Sequence, residues 1–272
     1  MNQPNRWLLA GNIPENYERY LVPAIFAVYA ENLVQHRAAR PGDNVLDIAC
    51  GTGIAARTAT PLVGYTGKVV GPDLAPGMLE IARSPPLPSK ARVEVDWQEG
   101  DVINMPFEDG SFDVAICQQG LQFFPDPSSA LKEVHRVLRP GGRIAFSVWR
   151  PIQFSSGFLV LAEALGRHIG EEVGNTMRLP FSFTPQRLRS LFTESGFNNI
   201  RVRIEVLPAR FPSCEEFVRR QVASSPLAGP VGEASKQARS SLTNDVSAAL
   251  DACVDDDGLV FPLETHIVVA HR

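Results

Sequence analysis

Val45-Leu46-Asp47-Ile48-Ala49-Cys50-Gly51-Thr52-Gly53 decides how this chain is read. Val45, Leu46, Ile48 and Ala49 make the near-continuous apolar run of a parallel strand covered on both faces, and the run ends in a glycine-rich turn. Gly51 and Gly53 carry no side chain, so backbone approaches a ligand there without an intervening Cβ. Ile54 to Ala59 reads as the helix that follows. Strand, turn and helix form the unit that holds nucleotide-like ligands in open α/β sheets, and Asp47 sets a carboxylate at its mouth.

Gly51-Thr52-Gly53-Ile54-Ala55-Ala56 also matches the G-x-G-x-x-G/A pattern of dinucleotide sites. In such a site the pyrophosphate rests on the helix N-terminus, where a carboxylate repels it. S-adenosylmethionine carries adenosine, a cationic sulfonium and an ammonium group but no phosphate, so an acidic mouth attracts it. Charge favours the sulfonium cofactor, and NAD rests on the glycine spacing.

Working outward, Lys68-Val69-Val70-Gly71-Pro72-Asp73 reads as a short strand ending in a carboxylate about 20 residues past the glycines, a spacing that suits both ribose hydroxyls. Asp73 is the ribose ligand on this reading; the alternative is a turn acid or the N-cap of a helix over Ala75 to Arg83. Val93, Val95 and Trp97 alternate with Arg92, Glu94, Asp96 and Gln98 as a half-buried strand, and Glu99-Gly100-Asp101-Val102 is the loop after it. Glu108 to Ser111 is a polar turn. Phe112 to Cys117 is a fourth strand, with Gln118, Gln119 and Gly120 facing the ligand crevice and Gln118 touching cofactor through its backbone. Asp126-Pro127 starts a helix that packs Ala130, Leu131, Val134, Val137 and Leu138 on the sheet. It ends at Arg139-Pro140-Gly141-Gly142, and Ile144, Phe146 and Val148 alternate as the fifth strand. His135, among Lys132, Glu133 and Arg136, reads as part of a solvated face.

Four ordered stretches, VLDIACGTG, VVGPDLAPGML, EGDVINMPFEDGSFDVAICQQGLQFFPD and LKEVHRVLRPGGRIAFSVW, span Val45 to Trp149. In them the chain resembles the class I S-adenosylmethionine-dependent methyltransferases, the type 11 small-molecule group that includes the ubiquinone and menaquinone biosynthesis enzymes. The resemblance implies an α/β, Rossmann-like, mostly parallel seven-stranded sheet with an antiparallel last strand, helices on both faces and a helical lid insertion. It assigns the loop contacts to Asp47, Ala49, Gly51 and Gly53, and sets Leu74 and Met78 against adenine, though Met78 also reads as an ordinary core residue. Asp101 becomes the acceptor for the adenine amino group with the Val102 N–H donating to the ring; the alternative for Asp101 is a solvated loop acid. Many relatives carry a histidine within the segment that here reads Leu121-Gln122-Phe123-Phe124, so Gln122 argues against a general base at that position. Relatives also close an N-terminal helix over the methionyl end, a role open to Tyr20 or Tyr17, or that helix simply caps the core.

At 272 residues, 44% hydrophobic and 21% charged, the chain can bury a full core, and one catalytic domain with insertions is expected. The division reads as an N-terminal helical cap over 1–40, the S-adenosylmethionine-binding core over 41–150, and completion of the sheet over 151–272. Phe158 to Ile169 reads as an apolar helix, Thr184-Pro185 starts another that ends at Gly196, and Asn199 to Leu207 alternates as a strand. The resemblance adds a last antiparallel strand near His266 to Ala270. Between these strands a polar insertion over about 213–257 opens on the capping box Ser213-Cys214-Glu215-Glu216, which predicts lid helices.

A net charge of −4 and a pI near 5.8, with no basic run interleaved with aromatics, give no nucleic-acid signature. Cys50, Cys117, Cys214 and Cys253 are scattered without C-x-x-C or histidine at ligand spacing, so neither metal nor disulfide is expected. The first thirty residues lack a signal-peptide pattern, and Leu21 to Ala30, interrupted by Pro23, is too short to span a bilayer. A reduced, cytoplasmic setting without membrane insertion follows as the expectation.

Methyl transfer from a sulfonium expels a neutral thioether, so positioning and water exclusion are the main demands, with a base needed only where the acceptor must lose a proton. His168 is the best placed of the five histidines for that base, or is structural; His36, His266 and His271 have weaker claims. Phe123, Phe124, Phe154, Phe158, Phe181 and Phe183 read as an aromatic acceptor pocket or as core. The function read here is methyl transfer from S-adenosylmethionine to oxygen, nitrogen or carbon of a small organic acceptor, aromatic if those phenylalanines line its pocket, leaving S-adenosylhomocysteine. A non-catalytic S-adenosylmethionine-binding protein and an NAD-dependent dehydrogenase are the other readings.

Overall fold

A computed structural model describes residues 12–35 and 39–272, so His36 lies outside the described residues. The chain opens with α1 (Ile13–Asn16), a π-helical stretch (Tyr17–Phe26) and α2 (Ala27–Gln35). Pro23 sits inside that stretch, where its missing N–H breaks the regular helical ladder and leaves a wider turn. There follow β1 (Asn44–Asp47), α3 (Ile54–Val63), β2 (Lys68–Asp73), α4 (Pro76–Ala82), β3 (Val95–Glu99), β4 (Phe112–Gln118) and α5 (Pro127–Val137). Next come β5 (Leu138–Trp149), α6 (Ser156–His168), α7 (Glu171–Arg178), α8 (Pro185–Glu194) and β6 (Asn198–Phe211). The chain closes with α9 (Cys214–Ala223), α10 (Ala228–Glu233), α11 (Lys236–Ala249), β7 (Val254–Asp255) and β8 (Gly258–His271).

The strands form one sheet in the order β3-β2-β1-β4-β5-β8-β6, with β7 paired to β8. Pairs β1–β2, β1–β4, β2–β3 and β4–β5 are parallel. Strand β8 runs against β5: the Arg150 N–H reaches the Glu264 carbonyl at 3.2 Å, and the Arg272 N–H reaches the Gly142 carbonyl at 2.9 Å. The mostly parallel sheet with an antiparallel last strand is thus as expected, with one addition. Val254–Leu259 and Asp255–Gly258 pair across a two-residue turn, so the insertion returns through a short hairpin and β8 begins at Gly258, well before His266.

Connectivity reverses between β1 and β4, the position at which an open α/β sheet leaves a crevice beyond its strand ends. Because β1 is covered on both faces, its residues alternate between two cores. Leu46 and Ile48 join Leu131, Val134 and Val137 of α5 and Leu188 and Phe192 of α8, while Val45 joins Ala30, Leu33 and Val34 of α2 and Ala55, Ala56 and Ala59 of α3. All are buried, and truncating Leu46 to Ala in such packing costs about 2–5 kcal/mol. The predicted caps form: Asp126 accepts from the Ser129 N–H at 3.0 Å, Thr184 from the Arg187 N–H at 3.3 Å and Ser213 from the Glu216 N–H at 3.1 Å. His135 departs from expectation. It is half-buried against the Phe197 ring, with centroids 5.4 Å apart, and against Gly196, so a distant segment covers a side that its charged neighbours marked as solvated.

Internal contacts gather the chain into two units. One comprises the residues through Phe26 with Trp149–Ser182 and Val206–Glu264; the other comprises Ala27–Val148, Phe183–Glu205 and Thr265–Arg272 and carries β1 to β4. The first unit has an aromatic core in which Phe158 meets Phe181, Phe217 and Phe261 at 5.5, 5.6 and 5.9 Å. Phe158 and Phe181 are therefore core, as is the buried Phe183 of the second unit, whereas Phe154 is exposed beneath the Arg150 guanidinium.

Candidate functional site

After Asp47 the chain crosses the end of the sheet with the Ile48 N–H on the Ile116 carbonyl at 2.8 Å and the Cys50 N–H on the Pro72 carbonyl at 3.1 Å. The loop then alternates in hand: Ala49, Gly51 and Gly53 have φ of 52°, 56° and 85°. For alanine this left-handed conformation costs about 1–2 kcal/mol, a local strain of the kind that gathers at ligand sites. The two glycines are needed for different reasons. A Cβ on Gly51 meets nothing within 4 Å, so this position faces open space, whereas a Cβ on Gly53 falls 2.2 Å from the Trp97 ring. Trp97, read from the alternation only as a half-buried strand residue, is a packing partner of the loop.

Two carboxylates hold the loop from below. One Asp73 oxygen accepts from the Gly51 N–H and the other from the Ala75 N–H, both at 2.8 Å, so one side chain clasps the glycine turn and the start of α4. Burial raises the Asp73 pKa against the pull of those N–H groups. Asp47 lies deeper at 1% exposure; one oxygen accepts from the Ala56 N–H at 2.8 Å and the other is buried without a partner among the described residues. Burial first, then repulsion from Asp73, pushes its pKa up to about 7, against the Ala56 hydrogen bond and the attraction of Arg57. Two carboxylates under one loop, one with an unfilled lone pair, form a pocket of negative potential that suits a cation. A diphosphate there meets repulsion from both, which removes the support for the dinucleotide reading.

The remaining predicted contacts lie along the same strand ends. Strand pairing sets Asp73 opposite Glu99, and the Gly100 N–H bonds the Asp73 carbonyl at 3.1 Å, which draws the Asp101 loop toward Asp73. Asp101 itself accepts from the Ile103 N–H at 3.1 Å and is half-buried. Val102 packs against the core, Met78 is buried and Leu74 is exposed. Gln118 ends β4 opposite Ser147. Asp47, Ala49, Gly51, Gly53, Asp73, Leu74, Met78, Asp101, Val102 and Gln118 thus share one edge of one unit.

Tyr20 and His168 belong to the other unit. The Tyr20 ring sits under the guanidiniums of Arg219, Arg19 and Arg220 at 4.9, 5.2 and 5.3 Å, and a hydrogen bond from Arg219 lowers its pKa. His168 Nε2 lies 2.8 Å from Asp245, which ties α6 to α11. His266 is fully buried in β8. His271 lines, with Arg143, Asn199 and Arg201, a concavity of about 560 Å³ at the opposite ends of the strands from Gln118. All four cysteines are free thiols.

Comparison with known proteins gives the family and the fold. A methyltransferase-domain family model matches residues 46–146. A demethylmenaquinone methyltransferase of Staphylococcus epidermidis is 32% identical over 208 residues, which cover 71% of this chain and 84% of that protein. A 2-phytyl-1,4-naphtoquinone methyltransferase of Synechococcus elongatus is 35% identical over 133 residues, 49% of this chain, and the match spans only 57% of its length. Among solved structures, an S-adenosylmethionine-dependent methyltransferase of Methanosarcina mazei shares the fold with a TM-score of 0.54 at 19% identity, covering 88% of this chain and 96% of its own. Phosphoethanolamine N-methyltransferase 2 of Haemonchus contortus, in complex with S-adenosylhomocysteine, does so with a TM-score of 0.53 at 20% identity, covering 90% of this chain and 52% of its own. The chain belongs to the class I S-adenosylmethionine-dependent methyltransferases.

Proposed function

We propose that this protein transfers the methyl group of S-adenosylmethionine to oxygen, nitrogen or carbon of a small organic acceptor and releases S-adenosylhomocysteine. The observation that carries the proposal is the pair of carboxylates under the loop: Asp47, buried with one oxygen unpartnered among the described residues, and Asp73, both of whose oxygens hold the backbone around the open face of Gly51. When bound, the cofactor supplies an electrophilic methyl on a cationic sulfur. Asp47, Ala49, Gly51 and Gly53 hold its methionyl end by negative potential and close backbone approach. Asp73 accepts from the ribose hydroxyls through its remaining lone pairs; Leu74 and Met78 bracket adenine, with Asp101 and Val102 reading its edge and Gln118 a backbone contact. No leaving-group protonation is required, so this chain's residues orient the reactants and exclude water.

Asn16 and Tyr20 both meet α9, with the Asn16 amide on the Ala223 carbonyl at 3.1 Å and the Arg219 guanidinium 4.9 Å from the Tyr20 ring, which supports Tyr20 and the insertion over about 213–257 acting together. The quinone-named relatives support an aromatic acceptor, and the free thiols support a reduced, cytoplasmic setting. Among the described residues, no helix is long and apolar enough to cross a membrane. Calorimetry with S-adenosylhomocysteine and with NAD tests the proposal. Binding of the first without the second is expected, and the reverse overturns it.

A further inference from the structure

Beyond β4 the chain turns at Gln119, which holds φ 56° although it is not glycine, and which is buried. The next residue, Gly120, has no room for a side chain: a Cβ there falls 2.7 Å from Cys117 Sγ and 3.1 Å from the Ala49 Cβ. The segment Gln119–Gln122 is therefore pressed against the glycine loop at the reversal point between β1 and β4.

A chain of side-chain hydrogen bonds starts here. Gln122 Nε2 donates to Gln119 Oε1 at 3.2 Å, Gln119 Nε2 donates to Thr265 Oγ1 at 2.9 Å, and the Thr265 hydroxyl donates to the Val148 carbonyl at 2.8 Å. Its direction is set from the far end. Thr265 is fully buried and has one hydroxyl proton, whose acceptors within reach are the carbonyls of Val148 and His266. With that proton on the Val148 carbonyl, the nearer of the two, Thr265 oxygen accepts from the nitrogen of Gln119, so Gln119 turns its oxygen to Gln122, and Gln122 offers its nitrogen in return. Gln122 Oε1 is what remains. It is a buried acceptor with no partner among the described residues.

The geometry points to Gln122 Oε1 as the residue that selects the methyl acceptor, by taking a hydrogen bond from a hydroxyl or N–H group on it. This rests on the methyltransferase reading and deepens it. An amide does not take up a proton, so Gln122 holds the acceptor in its protonated form and orients it, and an analogue whose donor is replaced by an ether or a carbonyl leaves the buried oxygen unfilled. Gln119 and Thr265 are positioning residues that keep the Gln122 amide from flipping.

The test uses 1,4-dihydroxynaphthalene and 1,4-dimethoxynaphthalene as probes, titrated into protein saturated with S-adenosylhomocysteine. Wild type is expected to bind the dihydroxy probe about tenfold to a hundredfold tighter, the range of one buried hydrogen bond. Gln122→Leu is expected to erase the preference, and Thr265→Val to weaken it while Gln122 stays in place. S-adenosylhomocysteine binding and melting temperature, followed in every variant, report the fold and the cofactor site. Equal binding of the two probes, binding of neither, or a preference that survives Gln122→Leu overturns the assignment while leaving the cofactor reading intact. Loss of S-adenosylhomocysteine binding by the wild type overturns both.

Discussion

Asp47→Asn probes the buried carboxylate on which the site depends. Burial raises the folded-state pKa from 3.8 to about 7, a difference worth roughly 4 kcal/mol at about 1.4 kcal/mol per unit. Because the folded form binds the proton more tightly than the unfolded form, stability is greatest below pH 4, falls as pH rises toward 7, and is level above that. Asparagine does not ionise and escapes this loss. Its oxygen can still accept from the Ala56 N–H, but its amide nitrogen takes the place of the unpartnered oxygen and leaves a buried donor unsatisfied, at about 1–3 kcal/mol. The ligand-free variant is therefore expected to exceed wild type at pH 8 by about 1–3 kcal/mol, roughly 2–12 °C in melting temperature, with that advantage shrinking by roughly 3 kcal/mol by pH 5. S-adenosylmethionine reverses the comparison: its cation stabilises ionised Asp47, so binding near pH 7 releases part of a proton and weakens as pH falls. Circular-dichroism melts from pH 5 to 8, and calorimetry in two buffers of different ionisation enthalpy, measure both effects. A difference between wild type and variant that stays constant across this range refutes the reasoning.

Asp73→Ala removes the acceptor for the Gly51 and Ala75 N–H groups and is expected to weaken S-adenosylhomocysteine binding by about 1–3 kcal/mol; an unchanged dissociation constant in a folded variant speaks against the ribose role. Gly53→Ala sets a Cβ at φ 85° and 2.2 Å from the Trp97 ring, so a loss of at least about 2 kcal/mol and a displaced indole are expected, visible as a shift in tryptophan fluorescence. If Trp97 emission is unaltered, the indole does not lie on the loop. His168→Gln breaks a partly exposed pair with Asp245 and is expected to lower stability by no more than about 1 kcal/mol, with kcat within about twofold. A hundredfold fall in kcat, with loss of one limb of the pH profile, makes His168 the base instead.

What the amino-acid order decides alone is whatever depends on neighbours along the chain. The strand before Asp47 is legible because burial on both faces demands an unbroken apolar run, and the glycine turn because left-handed backbone excludes most side chains. The starts of α5, α8 and α9 are legible because Asp126, Thr184 and Ser213 each cap an N–H three residues on. The same locality explains why the candidate site residues, spread over successive strand ends from Asp47 to Gln118, fall on one edge once the strand order is known. Tertiary structure alone decides what rests on distant pairs. Trp97 reaches Gly53 across β2, and His135 is half covered by Phe197. Asp47 becomes a proton-holding group through burial that no spacing reveals, and Gln119 meets Thr265 across 146 positions. Periodicity records which face of an element is covered, whereas charge state and hydrogen-bond direction depend on the atoms that do the covering.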